Sequence, residues 1–225
     1  MDGTSVRRRK RRDPQTSRRQ ILDAAESVFA KEGYDGASLA KIARDAGVST
    51  TLPTYFFGEK SDLYGAVEER LFARRDEQLS DVVSQALGQL DGSSEGLRSG
   101  LTSIVRGYLQ FLLDTPAFVS LMSRDALERQ RNGREGQPRH SNAFERGLRD
   151  FLNAADPGTS ATLRHRDHLM VTIMALCFFP LEHDPTLMAG MGYRARSEGF
   201  IDPWVTHVID LLLPTLESDD ARWST

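Results

Sequence analysis

The 225-residue chain has a single cysteine, Cys177. That excludes an intrachain disulfide and suits a reducing cytoplasm. Long apolar runs are missing as well. The longest nearly apolar stretch, Leu169 to Leu181, falls short of the roughly 20 residues a membrane helix needs, so no membrane partner is expected. The sequence holds no internal repeat, glycine-rich phosphate loop, paired His/Cys nucleophile or metal signature. His165 and His168 lie three apart, with His183 further on, but no thiolate or tight carboxylate cluster completes a ligand set. Neither metal nor cofactor is expected. Strand-like alternation is absent too.

At 39% hydrophobic and 27% charged residues, the chain has the apolar content of a packed domain and is unlike a disordered one. Its length suits one large or two modest domains. The net charge of −3 argues for nothing until the chain is divided. Residues 1–19 carry Arg7, Arg8, Arg9, Lys10, Arg11, Arg12, Arg18 and Arg19 against Asp2 and Asp13, a net of +6, which leaves −9 for the rest. With no apolar run behind its charges, this leader is not a secretory signal. Arg8, Arg9, Lys10, Arg11 and Arg12 are candidates for phosphate or minor-groove contacts. A localisation tag or a solubilising tail is the competing reading.

Behind the leader, three short helical patterns follow in order. Ser17 and Gln20 have capping-box spacing, and Ile21, Ala24, Ala25, Val28 and Phe29 form one apolar stripe. Gly33 supplies a stop. Ser38 then caps a helix bearing Leu39, Ile42, Ala43 and Ala46, Gly47 breaks it, and Ser49 is a second cap candidate. This is the outline of a helix-turn-helix, in which a tight glycine turn precedes a helix offered to the major groove. Pro53 would be the fourth helical position after Ser49, at the limit of what a helix tolerates. A later start with Thr50 or Thr51 as cap is therefore expected, a bend being the alternative. With Phe56 and Phe57 inward, Thr50, Thr51, Thr54 and Tyr55 face outward as candidates for base-edge and phosphate contacts. A core role for Tyr55 is the competing reading.

These residues carry a resemblance. Ile21, Ala24–Ala25, Phe29, Gly33-Tyr34, Ser38, Ile42-Ala43, Ala46-Gly47-Val48-Ser49, Phe57, Lys60 and Leu63 resemble the N-terminal domain of TetR-type transcriptional regulators, over about a fifth of the chain. The chain departs from the family pattern in the recognition helix. Thr51, Pro53 and Thr54 replace the usual glycine, aliphatic residue and tyrosine, and the aromatic comes one place later, at Tyr55. A subgroup with proline ahead of Tyr-Phe-Phe-Gly shares the variant. The resemblance adds Lys60 as a phosphate-contacting lysine. It implies a homodimer that binds double-stranded DNA at a palindromic operator, acts as a repressor by family habit, and is released by a small molecule.

Beyond residue 60 the pattern stays helical. A long helix begins at Ser61, Gly88 to Gly96 reads as a flexible break, and further helices carry Leu97 to Leu112, Phe118 to Met122 and Phe144 to Leu152. Residues 131–142 read as a mobile loop. A strongly apolar helix at roughly 162–181 precedes a last one from Asp202-Pro203 to Leu213, ended by Pro214. The last two are apolar on several sides and so must be buried on several sides. Ile173, Cys177, Trp204, Val208, Leu211 and Leu212 are the candidate dimer contacts; a wholly intramolecular core is the alternative. Tyr108, Phe111, Phe118, Met122, Phe144, Met170 and Met174 could line a cavity for a small apolar or amphipathic effector, or form plain core.

The expected fold class is all-α, an N-terminal three-helix helix-turn-helix head on a larger helical ligand-binding and dimerisation body. The expected divisions are a disordered basic tail over 1–16, a DNA-binding domain over 17–62 and a regulatory body over 63–225. The expected function is a cytoplasmic, ligand-responsive DNA-binding regulator without enzyme activity. The alternatives are a helical enzyme that transforms a small molecule, or an architectural DNA binder with no ligand.

Overall fold

The computed structural model describes residues 13–132, 142–155 and 160–217. Their regular structure is entirely helical, as the sequence pattern predicts. The helices are α1 (Pro14–Gly36), α2 (Leu39–Asp45), α3 (Leu52–Phe57), α4 (Lys60–Gln89), α5 (Ser94–Asp114), α6 (Pro116–Asn132), α7 (Ala143–Ala155), α8 (Ser160–Glu182) and α9 (Ile201–Glu217), with a π-helical turn over Asp184–Met188. Contacts divide the chain into two compact units after Val67, inside α4 and later than the boundary at 62 expected from sequence.

In the first unit, α1 starts earlier than the Ser17–Gln20 pattern suggested. Asp13 is the cap, accepting from the backbone N–H of Thr16 at 3.2 Å, and Pro14 fills the first helical position, where its missing N–H costs nothing. Ser17 is instead buried within the helix, and Gln20 Oε1 is buried without a hydrogen-bond partner among the described residues. The helix breaks at Gly33, whose φ of 72° is the left-handed region. Ile21, Ala25, Val28 and Phe29 of α1 meet Ile42 and Ala43 of α2 and Leu63, Tyr64 and Val67 of α4 in one small core. Tyr64 stands edge-on to both Phe29 and Tyr34, with ring centroids 5.0 and 5.2 Å apart.

The turn after α2 follows from its glycine. Gly47 has φ 65°. Val48 N–H reaches back to Ala43 O at 2.9 Å and Gly47 N–H to Arg44 O at 3.0 Å, the paired bonds of a Schellman stop. Helix α3 then begins after Thr51, so Pro53 falls in its first turn. The later start is what occurs, and Ser49 is not the cap. At the other end of α3, Gly58 has φ 84° and a Cβ there would lie 2.8 Å from Asp62 Oδ2. That carboxylate accepts from Glu59 N–H at 2.9 Å and so opens α4.

In the second unit α5 packs against α6, α8 and α9. Leu101, Ile104, Val105, Leu109 and Leu112 of α5 are fully buried. Gly100 permits a close approach: a Cβ there would meet the Phe151 ring at 2.6 Å and Ala86 O at 3.0 Å. The interruption between α4 and α5 is shorter than the expected Gly88–Gly96 break. Ser93 caps α5 by accepting from Gly96 N–H at 3.0 Å, so Gly88 and Gly96 both lie inside helices. Pro214 does not end the last helix, which runs on to Glu217. Most of the expected loop at 131–142 and the break at 156–158 lie outside the described residues.

Candidate functional site

The outward face of α3 is the first candidate surface. Pro53 is buried and Phe56 and Phe57 are half-buried. With those three turned toward the unit, Thr50, Thr51, Thr54 and Tyr55 stand in solvent. Tyr55 is 79% exposed, so it is not a core aromatic. Its ring is braced edge-on by Phe56 at 5.1 Å. Ser38 accepts from Lys41 N–H at 3.2 Å and caps α2.

Lys60 has a structural task that the sequence did not reveal. Its ammonium donates to Tyr34 O at 2.9 Å and Ala37 O at 3.1 Å and lies 4.4 Å from the Tyr34 ring centroid. It closes the carbonyl end of α1 and keeps one donor for another acceptor. Lys41 is paired with Glu32, while Arg18 lies 4.8 Å over the Phe57 ring. Arg44 and Arg19 are exposed on the same unit. Sequence reading counted Arg19 in the basic leader but passed over Arg44, which sits in the last turn of α2. Arg8 to Arg12 lie outside the described residues.

In the second unit the predicted effector residues fall into two groups. Tyr108, Phe111, Phe118 and Phe144 are buried among one another. Tyr108 stacks on Phe144 at 4.9 Å, and Phe111 stands edge-on to Phe118 at 5.1 Å. Met122, Met170 and Met174 are half-buried. None of the seven lines the surface cavity of about 570 Å³ formed around Tyr193, Arg194, Glu198, Phe200, Trp204 and His207.

Beside the aromatic group lies a charge cluster that sequence reading missed. The Arg75 side chain, on α4, is only 3% exposed. Its guanidinium forks onto Glu145 of α7 at 2.7 and 2.8 Å and onto Asp76 at 2.8 and 3.1 Å. It also lies 4.8 Å over the Phe72 ring and 5.4 Å over the Phe144 ring. Asp76 accepts in addition from the N–H groups of Ala143 and Phe144, at 3.2 and 3.3 Å, at the start of α7. Burial drives the Tyr108 phenol well above its usual pKa, so it stays protonated as a donor. The only signal in sequence would have been an arginine on the apolar side of α4, which is indistinguishable there from a surface charge.

The dimer candidates need correcting in direction. Ile173, Cys177, Val208 and Leu212 are buried inside the protomer, because α5 occupies that stripe of α8 and α9. Trp204 is half-buried, its indole N–H donating to Leu176 O at 3.0 Å. Of the six, only Leu211 is exposed among large apolar residues. It is joined there by Val171 and Phe179 of α8 and by Leu187, Met191 and Tyr193 of the following connection. Burial pushes the Cys177 thiol up to about 12, which makes it inert. Among the described residues no cluster of three possible metal ligands occurs, and no helix is long and apolar enough to cross a membrane.

Comparison with known proteins agrees with the two-part organisation. Residues 21–67 match the family described as bacterial regulatory proteins, tetR family. Residues 98–212 match the family described as tetracyclin repressor-like, C-terminal domain. The chain is 25% identical over 203 residues to the HTH-type transcriptional repressor NicS of Pseudomonas putida, covering 88% of this chain and 91% of that one. It is 37% identical over 90 residues to the HTH-type transcriptional regulator BetI of Escherichia coli, covering 40% and 43%. A solved TetR-like transcriptional regulator from Rhodococcus sp. RHA1 shares the fold with a TM-score of 0.59 at 19% identity, over 89% of this chain and 95% of that one. With its head and half its length in the body both matched, this chain belongs to the tetR family of bacterial regulatory proteins.

Proposed function

We propose that the protein is a repressor that binds a palindromic operator as a homodimer and leaves it when a small molecule enters its body. One observation carries the reading: Thr50 and Thr51 at the entry to α3, and Thr54 and the 79%-exposed Tyr55 on it, are all exposed. Threonine hydroxyls and methyls suit base edges, and a tyrosine hydroxyl suits phosphate. Exposed Arg19 and Arg44 add phosphate-seeking charge, and the arginine-rich leader adds more. Lys60 offers its one remaining donor. The protein acts in the cytoplasm, where its DNA is.

Two copies joined through α8, α9 and their connection would cover Val171, Phe179, Leu187, Met191, Tyr193 and Leu211, side chains that solvent otherwise touches. Large apolar groups left to solvent on these elements favour a surface that a second copy covers. Two heads at a fixed spacing read two half-sites and combine two modest affinities. The effector site belongs to the aromatic interior of the second unit, around Tyr108, Phe111, Phe118 and Phe144, with Met122, Met170 and Met174 at its edge. An effector shifts DNA affinity only by its differential binding to the two states, so coupling of ~1–3 kcal/mol suffices.

The test is to map the fragments of the source genome that the full chain protects, then score a metabolite panel for release. Protection of discrete two-fold sites, and release by at least one compound, is the expected result. Retention of every site against the whole panel would favour an architectural binder, and no protection at low ionic strength would end the regulator reading.

A further inference from the structure

We propose that Arg75 is the anchor of the effector site and that the effector is a carboxylate with an apolar body, which takes the place of Glu145 on the guanidinium. This deepens the effector reading above and rests on it.

Arg75 binds two carboxylates among the described residues, Asp76 and Glu145. An arginine stays protonated at any ordinary pH, and a buried one must be paired. The two carboxylates are not equivalent. Asp76 is committed elsewhere, since it also receives two backbone N–H groups of α7. Its side chain is 12% exposed. The Glu145 side chain is 23% exposed, against 3% for Arg75. Among the described residues it hydrogen-bonds to the guanidinium alone. Glu145 can therefore swing into water at little desolvation cost, whereas Arg75 cannot follow. A carboxylate from solution restores the same two-toothed pairing with the same charge.

The surroundings define the rest of the ligand. Tyr108 is buried, and its hydroxyl makes no hydrogen bond among the described residues. Its ring stacks on Phe144, the ring that Arg75 also covers. The hydroxyl is a donor in place for a second oxygen of the incoming group. Phe72, Phe111, Phe118 and Phe144 supply flat apolar walls. Phe144 precedes Glu145 on the first turn of α7, so the ion pair that an effector would open is one of the links between the start of α7 and α4. That is how occupancy reaches the helix.

The experiment uses the full chain, with thermal shift and titration calorimetry against sodium benzoate and sodium octanoate. The neutral comparators are benzamide and octanamide, at matched ionic strength. Arg75→Gln would remove the cation that Asp76 and Glu145 share and threatens the fold, so Glu145→Gln and Tyr108→Phe carry the test. At least one carboxylate should raise the melting temperature saturably while its amide does not. Glu145→Gln, which removes the competitor, should tighten that carboxylate about tenfold. Tyr108→Phe should weaken it severalfold with an unchanged circular dichroism spectrum. A purely structural ion pair predicts that Glu145→Gln lowers stability and leaves ligand affinity alone. That outcome, equal binding of amides, or no shift with either carboxylate would overturn the assignment. The two readings fail separately. Release of a protected fragment by neutral compounds but not by carboxylates would sink the Arg75 assignment and spare the sensor. Carboxylate binding that Glu145→Gln tightens but that leaves DNA occupancy untouched would do the reverse.

Discussion

The indole of Trp204 donates at 3.0 Å to the carbonyl of Leu176, and Leu176 is the residue four before Pro180 in α8. Proline has no N–H to return to that carbonyl. A tryptophan on α9 thus supplies the hydrogen bond that a proline inside α8 withholds, tying the two helices together at the point where α8 is weakest. Stacking of Trp204 on Phe200, with centroids 5.4 Å apart, holds the ring in place.

Trp204→Phe should therefore destabilise the protein by ~1–3 kcal/mol, because it leaves a partly buried carbonyl without a donor. Pro180→Ala should recover much of that loss in the Trp204→Phe background and much less in the wild type. Urea unfolding of the four proteins forms a double-mutant cycle. Additive effects would show that the two residues are not coupled.

Thr54→Ala with Tyr55→Ala should weaken operator binding by ~30-fold or more, from contacts worth about 1–3 kcal/mol each. Both side chains are exposed, so the melting temperature should stay within about a degree or two. A gel-shift titration beside a thermal melt measures both quantities. A large stability loss would mean that Tyr55 packs inward after all.

Phe179→Glu together with Leu211→Glu should convert the proposed dimer to a monomer while leaving the helical spectrum intact, since both residues are exposed in the single chain. Sedimentation velocity over a concentration series reads the result. The same change at Val208, which is fully buried, should instead unfold the second unit, because it places an unpaired charge in the core. That contrast separates interface from interior.

Cys177 should resist alkylation in the folded protein and react once it is unfolded, because burial raises its pKa to about 12. The same shift makes a stability claim. Below the thiol's ordinary value of 9.0, both states hold the proton and stability is at its full level. Between 9.0 and about 12, the unfolded chain releases the proton and the folded one keeps it, so stability falls as pH rises, by at most ~1.4 kcal/mol per pH unit. Tyr108 adds the same trend from 10.0 upward. Cys177→Ala should flatten the loss between pH 9 and 10, as followed by denaturant midpoints. An unchanged slope there would assign the alkaline loss to other groups.

What could be read along the chain is what local physics decides. Gly47 after Ala43–Ala46 announces a left-handed stop, and the structure has it with φ 65°. Pro53 rules out a helix capped at Ser49, and α3 starts after Thr51. Where signals competed, the pattern misled. Asp13-Pro14 outranked the Ser17–Gln20 box because a carboxylate cap ahead of a first-turn proline is the stronger start. Pro214 failed to end α9 although proline usually breaks a helix interior.

The sequence by itself determined the helical class, the head with its glycine-stopped turn, and the outward threonines and tyrosine of α3, because caps, turns and apolar spacing act within a few residues of one another. Only the tertiary structure decided which side of α8 and α9 faces α5, and so which apolar residues remain for a second copy. It alone brought Arg75, Asp76 and Glu145 together across two helices 70 residues apart. A helix that is apolar all round carries no mark of which neighbour it will meet, and an arginine carries no mark of burial until its carboxylates arrive from elsewhere in the chain.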